Sequence, residues 1–545
     1  MSSRFSRPAH EYELLPRASL EAEDFPELQR HTSNSSWLSR VAESLPFGVK
    51  QISNPSTYAH YITPRRKKRS IIRLIIYSVV SIPYILLSLV LIVGAFFPSY
   101  TYRPAHYSEL RQRSLESAVP GRANIHNEKV FIAASLYEPN GTLTSGAWGQ
   151  SVLDLVDLLG PENVYLSIYE NSPDAGTVAS LDRFRQRVTC NSSIVYEDLD
   201  LATLPRITLP NGETRLRRIA FLAEVRNRAL TPIDTAGVAF DRILYINDVN
   251  FDPIDAAQLL LSTNVDASGR ANYGAACAVD FINPFKFYDR FATRDIDGYN
   301  MGIPFYPWFT SAGSATSRSD VIAGTDAVRV RSCWGGMAAF EAKWFQDFTK
   351  LNDPSPPPNN TQLATPPAPT DPNEVLAKTP LRFRVEQENF WEASECCLIN
   401  ADLTYLRTGH ALPADAGIYM NPYIRVAYSP TVLSWLSLTR RPERLYSLVH
   451  DILNHAVNFP NYNPRQGEEP GKKIREGVWK YDDPARAFLP NATVADRQGQ
   501  WVDEERVSHV GGFCGGRFLL VMNDDAKEGE SKWGKILAPS PPPGS

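Results

Sequence analysis

Apolar and polar positions change their pattern several times along the chain. Residues 1–63 mix Ser, Pro, Glu and Arg with no recurring apolar position, so 1–70 is read as a disordered tail. Leu74 to Phe97 then reads LIIYSVVSIPYILLSLVLIVGAFF without one charged side chain. A helix over this stretch is about 36 Å long, enough to cross a hydrocarbon core of about 30 Å with some tilt. Residues 71–97 are therefore expected to anchor the chain in a membrane, and 98–128 to form a stalk. At Lys129 the pattern changes again. Val130-Phe-Ile-Ala-Ala-Ser, Asn163-Val-Tyr-Leu-Ser-Ile-Tyr, Ser193-Ile-Val-Tyr-Glu and Arg242-Ile-Leu-Tyr-Ile are short β-rich runs. Between them, Trp148 to Leu159, Ser180 to Phe184 and Arg217 to Ala229 carry helical spacing. Such alternation predicts an α/β domain on a parallel sheet, with bounds of 129–525. The Pro-rich run 353–372 is read as a solvated loop within it, and 526–545 as a disordered polar tail.

Charge orients the anchor. Arg65, Arg66, Lys67, Lys68, Arg69 and Arg73 precede the apolar run, whereas only Arg103 lies near its other end. The tail is thus expected in the cytosol and the larger part in a lumen, a single-pass type II arrangement. A cleavable signal peptide does not fit, because the run is longer than an h-region of about 7–15 residues and starts far from the N-terminus. Sequons at Asn140, Asn191, Asn359 and Asn491 fall on the lumenal side, and the one at Asn34 on the cytosolic side. The formal net charge of -4 gives no pull toward nucleic acid, and none is expected as a partner. Six cysteines lack paired C-x-x-C spacing and leave disulfide connectivity open. No HExxH, G-x-S-x-G or P-loop pattern is present.

The candidate chemistry starts where Arg242-Ile-Leu-Tyr-Ile ends. There Asp248 is delivered to the carboxyl edge of the sheet, the edge at which open α/β sheets bind ligands. Asp248, Asn250 and Asp252 offer hard oxygen donors suited to Mn²⁺ or Mg²⁺, but all three residue types also serve in turns, and Pro253 follows. Asp280 closes the apolar run Tyr273 to Val279 and is a second strand-end acid. Asp289, Arg294 and Asp295 lie in a loop-rich stretch that suits either a substrate contact or a structural ion pair. Trp334-Gly335-Gly336 permits close backbone approach and an aromatic platform for a sugar ring, unless the Trp is simply buried. Glu395 beside Cys396-Cys397 is either a buried acid or base, or a surface acid of a helix.

Several blocks occur in one order: KVFIAASLY (129–137), LAEVRNRAL (222–230), RILYINDVNFD (242–252), ACAVDF (276–281), YDRFATRDIDG (288–298), RVRSCWGGMAAFEA (329–342), SECCLINADL (394–403) and VGGFCGGRFLL (510–520). Together they resemble the fungal capsule-associated proteins and the cryptococcal alpha-1,3-mannosyltransferase family. The resemblance implies a GT-A-like fold, a Rossmann-like sheet that binds a nucleotide sugar, carried as a lumenal domain on one N-terminal membrane helix. It further implies a Golgi or secretory-pathway enzyme using GDP-mannose, a glycan acceptor and a divalent cation. By similarity to GT-A mannosyltransferases it nominates Arg226 and Asn227 near the nucleotide. Where a D-x-D triplet would begin, this chain has Ile246. A non-catalytic, membrane-anchored factor for polysaccharide secretion is the alternative reading.

Overall fold

Four buried apolar runs form the middle of one nine-stranded sheet. A computed structural model describes residues 71–208, 214–347, 379–386, 390–409, 413–483, 486, 499–523 and 533–537. Among them, residues up to Leu89 form one unit and those from Val90 onward another. The strands in chain order are β1 (Val130–Leu136), β2 (Val164–Asn171), β3 (Asn191–Glu197), β4 (Arg242–Ile246), β5 (Ala275–Phe281), β6 (Arg294–Asp295), β7 (Val328–Ser332), β8 (Met337–Glu341) and β9 (Ile418–Ala427). Their order across the sheet is β3-β2-β1-β4-β8-β5-β9-β7-β6.

The first half matches the expected parallel arrangement: β2 pairs in parallel with β3 and β1, and β1 with β4. The second half departs from it. β8 lies antiparallel to both β4 and β5, and β7 antiparallel to β9. The sheet is mixed, and the fold is mixed α/β. Every residue of β4 and β5 is buried, as in strands covered on both faces. Five helices flank the sheet in sequence: α2 (Ala147–Leu159), α3 (Ala175–Arg187), α4 (Arg218–Leu230), α5 (Pro253–Ser262) and α6 (Glu395–Thr408). Two disulfides hold the second half: Cys277 on β5 to Cys333 after β7, and Cys397 on α6 to Cys514.

Among the described residues, α1 (Ile71–Phe96) is the one helix long and apolar enough to cross a membrane. Two boundaries change. The segment read as a stalk packs on the domain: Tyr107 is fully buried with its hydroxyl accepting from Asn421 at 2.5 Å, Arg103 pairs with Asp255 at 2.6 Å, and His106 with Asp326 at 2.9 Å. Its few apolar side chains lack a helical or strand period, which is why it reads as a spacer. Within the region read as a tail, Trp533–Leu537 is a strand antiparallel to Phe518–Met522, with Trp533 against Phe221 of α4. The loop 353–372 and the sequons at Asn34, Asn359 and Asn491 lie outside the described residues.

Candidate functional site

β4 ends at Ile246, and the three residues after it turn over the carboxyl edge of the sheet. The turn is fixed from both sides. Asn247 donates its N–H to the Gly336 carbonyl at 2.9 Å, and its own carbonyl accepts from Trp148 Nε1 at 2.9 Å. Gly335 and Gly336 have φ of +56° and +68°. A Cβ on Gly335 would stand 1.9 Å from the Ala278 carbonyl oxygen of β5, so only glycine permits this approach. Asp248, half-buried, therefore stands at the edge beside the Gly335-Gly336 turn.

Arg226 of α4 organises the neighbourhood. Its Nε donates to Glu395 Oε1 at 2.9 Å and its Nη1 to Asn247 Oδ1 at 3.1 Å. The guanidinium lies 4.5 Å from the centre of the Trp334 ring, 5.4 Å from Tyr245 and 5.7 Å from Phe383. Three aromatic faces thus stabilise a buried cation whose charge is permanent. Glu395 is the first residue of α6, capped by the Ser394 side chain, and is buried. It is neither a surface acid nor a lone buried one: Arg226 occupies the carboxylate, and the Cys396 thiol lies 3.5 Å from the same oxygen.

A second acid pair adjoins this cation. Asp280, at the end of β5, is fully buried; its Oδ1 accepts from the Asp289 N–H at 3.1 Å and its Oδ2 from the Tyr428 hydroxyl at 2.9 Å. Asp289 accepts from the N–H groups of Ala292 and Gly335 at 3.1 and 3.2 Å. Burial raises the pKa of both, and for Asp280 the neighbouring Asp289 charge adds to it. One negative charge is hard to keep here and two are harder. Gly335 thus joins the acid pair to the Trp334 and Arg226 stack, and Asp248 is close enough to act electrostatically on Tyr428.

Other expectations fare differently. Trp334 is not an open platform: it is 3% exposed, because its ring faces are spent on Arg226, Tyr245 and Phe383. Asn227 does not face a ligand with its amide, since Nδ2 donates to the Phe383 carbonyl and Oδ1 accepts from the Phe383 N–H, both at 2.8 Å. It holds the irregular segment that carries Phe383 against Arg226. Asp252 caps α5, accepting from Ile254 at 2.8 Å and Asp255 at 3.3 Å. Asn250 bridges the Ala427 backbone. The turn and cap roles weighed for these two are therefore the ones the structure displays. Asp295 is in β6, five strand positions from β4 and on the order of 20 Å across the sheet. Its Oδ1 accepts from Tyr299 within its own turn, and it stands apart from the Asp248 group. Asn247, Tyr428 and Cys396 were not singled out as site residues by the sequence. Tyr428 is 148 residues from Asp280, and no local pattern links them.

Among the described residues, no group of three or more His, Cys, Asp or Glu side chains could hold a metal ion. The donor set does not fit a resident ion.

These features define an α/β protein with a charged, partly buried ligand edge at the carboxyl ends of β4 and β5. The chain belongs to the family described as cryptococcal mannosyltransferase 1, whose model matches residues 129–402. Membership places it among glycosyltransferases with a role in mannosyl transfer. Among solved structures, it is similar to a mannosyltransferase from Pyrobaculum calidifontis in complex with GDP-Man and Mn2+. The identity is 9%, with 70% of this chain and 78% of that one covered and a TM-score of 0.28. It is also similar to mannosyl-3-phosphoglycerate synthase from Rubrobacter xylanophilus, with 13% identity, 75% and 96% coverage and a TM-score of 0.28. No curated protein matches the chain.

Proposed function

We propose that the chain is a type II, Golgi or secretory-pathway membrane enzyme of GT-A-like fold. It transfers mannose from GDP-mannose to a glycan acceptor in alpha-1,3 linkage. The observation that carries this reading is the buried cation Arg226, whose Nη1 donates to Asn247, the residue next to the strand-end acid Asp248. That pairing suits a diphosphate, whose negative charge grows as the glycosidic bond breaks. Arg226 supplies positive charge to the leaving group, and Glu395 with the aromatic stack keeps the guanidinium in place beforehand. Asp248 would contribute one carboxylate to a Mn²⁺ or Mg²⁺ ion shared with the substrate, and that ion would supply charge neutralisation to the departing diphosphate. Asn250 and Asp252 hold the loop that presents Asp248. Asp289 holds the Gly335 turn, and Asp280 in turn accepts from the Asp289 N–H. An alpha donor and alpha product imply retention, in which the acceptor proton can pass to the leaving diphosphate on the same face.

The test is to incubate the purified full chain with a panel of nucleotide sugars and Mn²⁺ and to repeat it with Asp248→Asn. GDP-mannose should be consumed by the wild type, and transfer should fall by about 10²-fold or more in the variant at unchanged melting temperature. Full Mn²⁺-dependent transfer by a folded Asp248→Asn protein would refute the metal role. A wild type that binds neither nucleotide sugar nor cation would favour the secretion factor instead.

A further inference from the structure

The helix Tyr446–Ala456 is amphipathic in the reverse sense. Its inner face buries the polar side chains His450 and Asn454, while its outer face presents Leu448 (71% exposed), Val449, Ile452 (61% exposed) and Leu453. The buried polar groups are satisfied. His450 Nε2 meets the Ile303 carbonyl at 3.1 Å, its Nδ1 meets Arg318 at 2.9 Å, and Asn454 Oδ1 accepts from the Ile303 N–H at 2.8 Å. The orientation is thus set by specific bonds, and the apolar side faces outward by construction. The preceding helix, Pro430–Thr439, contains no charged residue and exposes Trp435 and Leu438. Phe285 is also exposed, beside Pro284, whose carbonyl accepts from Thr439. Water does not favour such a cluster on a folded surface.

What covers it is indicated by what lies between the two helices. Arg441 donates from Nε to the Gly94 carbonyl at 2.9 Å, and its own carbonyl accepts from the Ser99 N–H at 3.1 Å. Gly94 belongs to the last turn of α1, the apolar helix read above as crossing the membrane. The exposed apolar helices therefore start from the point where that helix enters the domain. The same connection carries Arg440, Arg441 and Arg444, and Arg444 is exposed. Apolar side chains, a tryptophan and neighbouring arginines form the composition of a surface lying in the headgroup region of a bilayer.

We propose that Pro430–Thr439 and Tyr446–Ala456, with Phe285, rest in the phospholipid interface next to the membrane exit of α1. They fix the orientation of the catalytic domain on the bilayer. This inference depends on the reading of α1 as a span, not on the proposed donor chemistry. The test uses the full chain reconstituted in phosphatidylcholine vesicles whose acyl chains carry bromine, which quenches nearby tryptophan. Carbonate extraction should leave the chain with the vesicles. Quenching should be lost in Trp435→Phe and reduced in Leu448→Glu/Ile452→Glu, at unchanged melting temperature. A chain that stays with the vesicles but is quenched equally with and without Trp435 would overturn the interfacial face while leaving the span intact. Dissociation of an oligomer by the double Glu variant, in place of a quenching change, would assign the face to a second copy and overturn the proposal. Release of the chain by carbonate would overturn span and interface together.

Discussion

Replacing Arg226 by methionine removes the buried cation while keeping much of its length against Trp334, Tyr245 and Phe383. The loss has two parts. The guanidinium over desolvated aromatic faces contributes about 2 kcal/mol. The larger part falls on Glu395, which is only 3% exposed and would be left as a buried carboxylate without its cation, at about 3–5 kcal/mol. Adding Glu395→Gln should recover most of that second part, because a neutral amide has no charge to leave unpaired. The single Arg226→Met variant should thus melt well below wild type, and the double variant should lie between them. Nucleotide-sugar binding should be lost in both, since neither contains the cation. Thermal unfolding of the detergent-solubilised full chain, read beside GDP-mannose binding, separates the two roles. If the double variant were as unstable as the sum of the single ones, the Arg226–Glu395 pair would not be the source of the penalty. If it regained donor binding, Arg226 would be an internal strut only.

Asp295 gives a pH signature away from the site. Burial raises its pKa to about 7, so the folded state binds a proton that the unfolded chain has already released. Its stabilising contribution is complete below about pH 4 and is lost as pH rises through 7; Asp295→Asn should remove up to about 1.4 kcal/mol per pH unit of this slope without changing donor KM. An unchanged slope between pH 5 and 7 would refute the assignment. Denatured, unreduced protein should titrate with thiol reagent at Cys190 and Cys396 and at none of Cys277, Cys333, Cys397 or Cys514. Asn140 and Asn191 are exposed, so expression in a fungal host should give a glycosidase-sensitive mass shift that Asn140→Gln/Asn191→Gln reduces. No shift in an otherwise folded membrane protein would reverse the proposed orientation.

The position of Asp248 was legible because β4 is a continuous apolar run and the acid follows it at once; a strand covered on both faces advertises its own end. α2 and α4 were legible by their spacing, and both occur within a residue of the expected bounds. The hydrogen bond from Tyr428 to Asp280 was not, because it is assembled across chain distance: Tyr428 follows the end of β9, 148 residues after Asp280. Trp334 was misleading for a different reason. Two adjacent glycines suggest an open turn, but here they bring β5 close enough to bury the indole. The long separation of the Arg226–Glu395 pair, 169 residues, likewise left Glu395 without a partner in the sequence.

β8 sits between β4 and β5, although it follows both in the chain. During synthesis, β4 and β5 therefore emerge with facing edges that cannot pair with one another. Each waits for residues 337–341 to arrive and bond to both. A nascent chain stopped before that point carries two apolar strands with unpaired backbone groups, the kind of edge that recruits other chains. Cys333 leaves the ribosome just ahead of β8 and bonds to Cys277 on β5, so oxidation there can tether the incoming strand to its slot. Formation of the Cys277–Cys333 bond thus bears on the yield of folded protein as well as on its final stability.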